Sequence, residues 1–100
     1  MNLFEGIPRD LPEELFTEIL SKQSLRIERI VSQGHGSAPD FWYDQSEHEW
    51  LIVLQGVAEL QYEGVEMKVL KVGDYEFIPA GTKHRVGSTS SDPKCIWLAI

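Results

Sequence analysis

A chain of 100 residues is too short for two independent cores, yet long enough to bury roughly 60–70% of its unfolded surface in one core without disulfide staples. Sixteen acidic residues against nine basic ones give a net charge of −7 with no basic stripe, which excludes a phosphate-gripping nucleic-acid binder. No run reaches the ~18 apolar residues of a membrane span. The lone cysteine, Cys95, can close no intrachain disulfide, so a cytoplasmic protein without nucleic-acid or membrane partners is expected.

The opening MNLFEGIPRD has neither the basic region nor the apolar run of a secretion signal. The first predicted element is a short helix in RDLPEELFTEILS. Asp10 stands as N-cap with Glu13 three residues on, Pro12 lies in the first turn, and Glu13 and Glu14 complement the helix dipole. Leu11, Leu15 and Ile19, with Phe16 and Leu20, supply its apolar face. Residues 1–23 are expected to form an N-terminal segment whose short helix packs on the outside of a sheet, over residues such as Trp50, Ile52 and Leu54. A partner subunit is the alternative cover for that face.

From Ser24 onward the apolar period changes from about 3.6 to 2, the signature of strands. SLRIERIVSQ places Leu25, Ile27 and Val31 on one face. The glycine-bearing GHGSAPD leads to the short run FWYDQ. WLIVLQ is apolar almost throughout, which predicts a strand covered on both faces. VAELQYE alternates, with Ala58, Leu60 and Tyr62 on one side, and Glu63-Gly64 turns the chain into VEMKVLKV. Gly73-Asp74 turns it again into YEFIP, Ala80-Gly81 into HRVGS, and a polar SSDP loop leads to CIWLAI. Some eight strands with turn signals every 6 to 12 residues predict an antiparallel sandwich or barrel over residues 24–100.

Two stretches carry the chemistry. In VGDYEFIPAGTKH, Gly73 is followed after five residues by Pro79, then by Gly81 and His84. The proline ends a strand by removing a ladder donor, Gly81 takes a positive φ, and His84 then opens the next strand at a defined height. Upstream, five residues after Gly36 come Trp42 and Asp44, then Glu49 after four more and Gly56 after six more. A spacing one residue shorter begins at Ser37 and puts Tyr43 and Gln45 in the same two places. The glycine favours the first register.

These stretches resemble the two motifs of the cupin family, small jelly-roll barrels in which both motifs supply ligands to an internal metal. The second motif is matched at Gly73, Pro79, Gly81 and His84, with Ser88 where the family has an asparagine. In the first, Glu49 and Gly56 match, while both histidines are replaced. The resemblance implies an all-β, cupin-like antiparallel jelly-roll barrel, a small-molecule ligand and a homodimer, with Glu49 and His84 facing one cavity.

Three functions follow as expectations. Asp44, Glu49 and His84, with His48 as the spare imidazole and Gln45 as a weak oxygen donor, form a reduced metal site suited to Mn, Fe or Zn over copper. Without metal, Glu49 and His84 form an acid–base pair, as in the family's metal-independent isomerases and epimerases. A barrel that keeps its cavity without chemistry is a binding or sensing module. Trp42, at a ligand position of the motif, is expected to line the pocket with Gln45. Tyr43 and Trp50 are expected to face outward, His35 to be solvated, and Cys95 to be a small buried hydrophobe.

Overall fold

The structure is a computed structural model that describes residues 2–100. Its regular elements are eight strands: β1 (Leu15–Lys22), β2 (Leu25–Ser32), β3 (Glu49–Gln55), β4 (Ala58–Tyr62), β5 (Lys68–Leu70), β6 (Tyr75–Ile78), β7 (His84–Thr89) and β8 (Cys95–Ala99). A five-stranded sheet runs in the order β1-β2-β8-β3-β6 and a three-stranded sheet in the order β5-β4-β7. Every named pairing is antiparallel. Among the described residues no helix is long and apolar enough to cross a membrane.

The core lies between the two sheets, because strand alternation sends every second side chain there. Leu51 and Val53 of β3, Ala58 and Leu60 of β4, Ile78 of β6, and Cys95 and Trp97 of β8 are buried together. Turn chemistry fits the predicted places: Gly64, Gly73 and Gly81 all have positive φ. The segment before β3 zips onto β7. The Ser37 amide donates to the Val86 carbonyl at 2.8 Å, and Tyr43 exchanges two backbone hydrogen bonds with His84. FWYDQ therefore contributes one bridge beside β7 and no full strand.

The expected N-terminal helix is absent. Leu15–Lys22 is the edge strand β1, paired with β2 from Leu15↔Val31 to Lys22↔Leu25 with a bulge between Glu18 and Leu20. An isolated helix of this length is marginal, whereas β1 satisfies its backbone along a whole ladder and tucks alternate side chains against β2. The bulge shifts the alternation partway, and this is why the apolar residues mimic a helical stripe.

An irregular N-terminal segment does part of the covering that the helix was expected to do. Arg29, on the outer face of β2, is 7% exposed. Its guanidinium donates to the carbonyls of Leu3 and Glu5 and to the Thr17 hydroxyl. Val31 and Ile96 beside it are buried. The residues the helix was to cover stay half-buried: Trp50, Ile52 and Leu54 form the outer face of β3, with Trp50 against the ring of the exposed Tyr75. WLIVLQ is thus fully buried on its inner face only.

Candidate active site

His84 opens β7 directly after the Pro79–Gly81 turn. The Gly81 amide donates to the Gln45 carbonyl at 2.7 Å and the Thr82 amide to the Pro79 carbonyl at 3.2 Å, so the turn ties both motifs together. The His84 ring is only 4% exposed. Its Nδ1 lies 2.9 Å from the carbonyl oxygen of Thr82. A carbonyl can only accept, so Nδ1 carries a proton and donates to it, while Nε2 faces the interior. Tyr43 stacks on the imidazole, with ring centroids 5.4 Å apart and planes 22° apart, and fixes its plane.

Glu49, the first residue of β3, faces that nitrogen. Its Oε1 is 3.8 Å from His84 Nε2, too long for a direct hydrogen bond and close enough for one bridging oxygen. Burial pushes the Glu49 carboxyl above the ordinary carboxylate range; His84 opposes the rise, Glu28 adds to it and Arg26 opposes it. The phenol of Tyr43 is likewise raised, first by burial and then by Glu14 and Glu49.

The pair opens on a cavity of about 100 Å³, with Leu51, Leu60, Val86 and Trp97 as apolar walls. Tyr43, Gln45, Glu49 and His84 are its polar lining, joined by Glu14, Phe16, Arg26 and Glu28 from β2 and the β1 end of the chain. A wider cleft of about 530 Å³ forms the mouth, lined among others by Arg26, Glu28, Asp44, Glu47, His48 and Glu49.

Of the sequence-derived site residues, Glu49, His84 and Gln45 reach the cavity. Trp42 does not line it: its ring is half-buried beneath the Arg85 guanidinium, 5.9 Å away. Tyr43, expected to face outward, takes the inward place. The shorter register from Ser37 is therefore the one the fold uses. Gly36 misled the alignment because it serves packing: a Cβ there would strike the Gly87 carbonyl oxygen. Asp44 is exposed and reaches only the mouth. His48 turns away, its ring near Phe77 and its Nδ1 accepting from the Ala80 amide at 2.9 Å.

His35 is half-buried and bonded through both ring nitrogens, accepting from the Gln33 amide and contacting the Pro12 carbonyl. Cys95 is fully buried, and burial pushes its thiol up to about 12, which makes it inert. Sequence reasoning missed Glu14, Phe16, Arg26 and Glu28. The position of Glu28 on the same strand face as Ile30 was a usable signal; Glu14 and Phe16 were hidden by the helix assignment.

Residues 28–100 match the cupin domain family. The chain is a cupin. A crystal structure from Ralstonia eutropha JMP134, of a candidate mannose-6-phosphate isomerase, is similar to this cupin at 40% identity and a TM-score of 0.95. The match covers 99% of this chain and 93% of that one. A cupin from Methanocaldococcus jannaschii with a double-stranded β-helix fold shares the architecture at 19% identity and a TM-score of 0.73, over 93% of this chain and 83% of that one. A quercetin 2,3-dioxygenase of Bacillus subtilis is 42% identical over 55 residues. That stretch is 55% of this chain and only 16% of the dioxygenase.

The metal ligands of the family's motifs have no full counterpart in this cupin. Tyr43 and Gln45 stand at the two first-motif histidine positions, so His84 and Glu49 are the motif ligands that remain; of the other carboxylates lining the cavity, Glu14 accepts from the Ser32 hydroxyl and Glu28 is paired with Arg26. Among the described residues no three His, Cys, Asp or Glu side chains converge to hold an ion. The donor set does not fit the internal metal of the family.

Proposed function

We propose that this cupin is a metal-independent acid–base catalyst in which Glu49 and His84 move a proton on a small carbonyl or sugar substrate. One observation supports the reading above others: a carboxyl raised by burial stands 3.8 Å from Nε2 of a buried imidazole, in a largely apolar cavity. In the proposed cycle the Glu49 carboxyl serves as the acid and His84 Nε2 as the base. His84 Nε2 takes a proton from the carbon next to the carbonyl, and the Glu49 carboxyl protonates the carbonyl oxygen, giving an enediol. Returning the proton to the neighbouring carbon, while the Glu49 carboxylate recovers one from the other hydroxyl, completes an isomerisation with no external reductant or oxidant. Tyr43 holds the imidazole plane and the Thr82 carbonyl holds its tautomer.

The candidate isomerase activity of the Ralstonia protein belongs to this reaction class. The alternative site of Asp44, Glu49 and His84 has less support, since Asp44 is exposed at the mouth. The test is solvent exchange in D2O, followed by NMR, on a panel of aldoses, ketoses and small hydroxycarbonyl compounds. Loss of a substrate C–H signal with the parent, slowed by about 100-fold or more in both Glu49→Gln and His84→Gln, is the expected result. Ligand-dependent thermal stabilisation without exchange on any compound would leave a binding module instead.

A further inference from the structure

The charges around the cavity are one-sided. The inner cavity is lined by Glu14, Glu28 and Glu49, and its mouth adds Asp44 and Glu47. Arg26 is the one Lys or Arg lining either space, and its Nε sits 3.5 Å from Glu28 Oε1, so its charge is already matched. No lysine and no second arginine lines either space to meet a phosphate. At the inner end, the His84 ring makes its hydrogen bond through Nδ1 to Thr82, which leaves Nε2, on a ring 4% exposed, aimed at the cavity with only the 3.8 Å approach of Glu49. The aromatic walls of Phe16, Tyr43 and Trp97 complete the inner lining.

We infer that the substrate is a small hydroxylated carbonyl compound bearing a positively charged nitrogen, with its reacting end at Glu49 and His84 and its ammonium end at Asp44 and Glu47 in the mouth. The inference rests on the proposed acid–base reading for the reacting end only. A phosphorylated sugar would enter a space whose fixed charges repel it, with low-dielectric walls that focus the field. An ammonium group gains from the same field and from nearby aromatic faces. The inner cavity holds about three water molecules' worth of volume, enough for the reacting atoms and no more; the charged end must lie in the mouth.

Three hexoses that differ only in the group on C6, at the end away from the carbonyl, test this: 6-amino-6-deoxyglucose, glucose and glucose-6-phosphate, titrated into the parent protein at low and at moderate salt, with binding read from amide chemical shifts. The expected order is 6-amino-6-deoxyglucose, then glucose, then glucose-6-phosphate, with about tenfold between the first and the last at low salt. Salt narrows the gap, and the double variant Asp44→Asn, Glu47→Gln narrows it severalfold while circular dichroism confirms the fold. Equal binding of 6-amino-6-deoxyglucose and glucose, tighter binding of glucose-6-phosphate, absence of 6-amino-6-deoxyglucose binding at millimolar concentration, or a preference untouched by the double variant would each overturn the inference. Binding in the expected order without D2O exchange would refute the catalytic reading and leave the charge selection standing.

Discussion

Glu49 is the residue on which the chemistry turns, and its ionisation is directly measurable. Burial opposes the carboxylate, while His84 favours it, so the side-chain carboxyl is expected to titrate above the ordinary value of about 4.3. Removing the ring in His84→Gln should move the titration further up. The same shift links to stability. A carboxyl whose folded value lies above its unfolded one contributes stability that is complete below the unfolded value and disappears as pH rises through the folded one. Glu49→Gln abolishes that loss, so its melting temperature relative to the parent should climb between about pH 4 and neutrality. Carbon-detected NMR of the carboxyl and melting curves across that window check both parts. A titration inside the ordinary range, unmoved by His84→Gln, would disconnect the pair. The Nδ1-protonated tautomer is visible in the ring 15N shifts of the same samples.

At the scale of elements, the strands from β2 onward were legible because one face of each is core. Ala58 and Leu60 fall on the inner face in the alternation expected of them, and the second motif put His84 at the start of β7. Two features were not legible. Leu15–Lys22 carries a bulge, which breaks a period of 2 in a way that imitates 3.6. Gly36 satisfies the motif spacing but exists for a backbone contact with β7, and the one-residue choice of register turns Trp42 out and Tyr43 in. That contact makes a sharp prediction. Gly36→Ala drives a Cβ into the Gly87 carbonyl, where only backbone can yield, and should lower stability by about 2–3 kcal/mol in urea denaturation. Gly64→Ala, at a positive φ with open space around it, should lower it by only about 1–2 kcal/mol. Equal effects at the two sites would mean that the 36–37 segment does not hold β7 as closely as its hydrogen bonds indicate.

For the whole molecule, the decisive question is whether any ion is part of the folded state. An ion that binds only the folded chain stabilises it by about 4 kcal/mol at a thousandfold excess over Kd. In a domain of this size each kcal/mol shifts the melting temperature by roughly 4–8 °C. A working internal metal site would therefore raise the melting temperature by well over 10 °C, an order set by linkage and not by which ligands hold the ion. The cavity offers one imidazole and the Glu49 carboxylate; Glu14 on its wall is bonded to Ser32, Glu28 is paired with Arg26, and Asp44 and Glu47 lie in the mouth. Such an array attracts cations diffusely. The expected result is protein that, purified without a metal-affinity tag, carries far less than one equivalent of metal. Mn, Fe(II), Ni or Zn should shift its melting by less than about 4 °C, corresponding to under 1 kcal/mol. Near-stoichiometric metal that is lost in both Glu49→Ala and His84→Ala would reverse the conclusion, because it would require a third ligand to swing inward. Gln45 and Tyr43 already stand at the cavity, and Asp44 would have to leave the mouth. The acid–base reading would then give way to an ion held where the proton transfer is now placed.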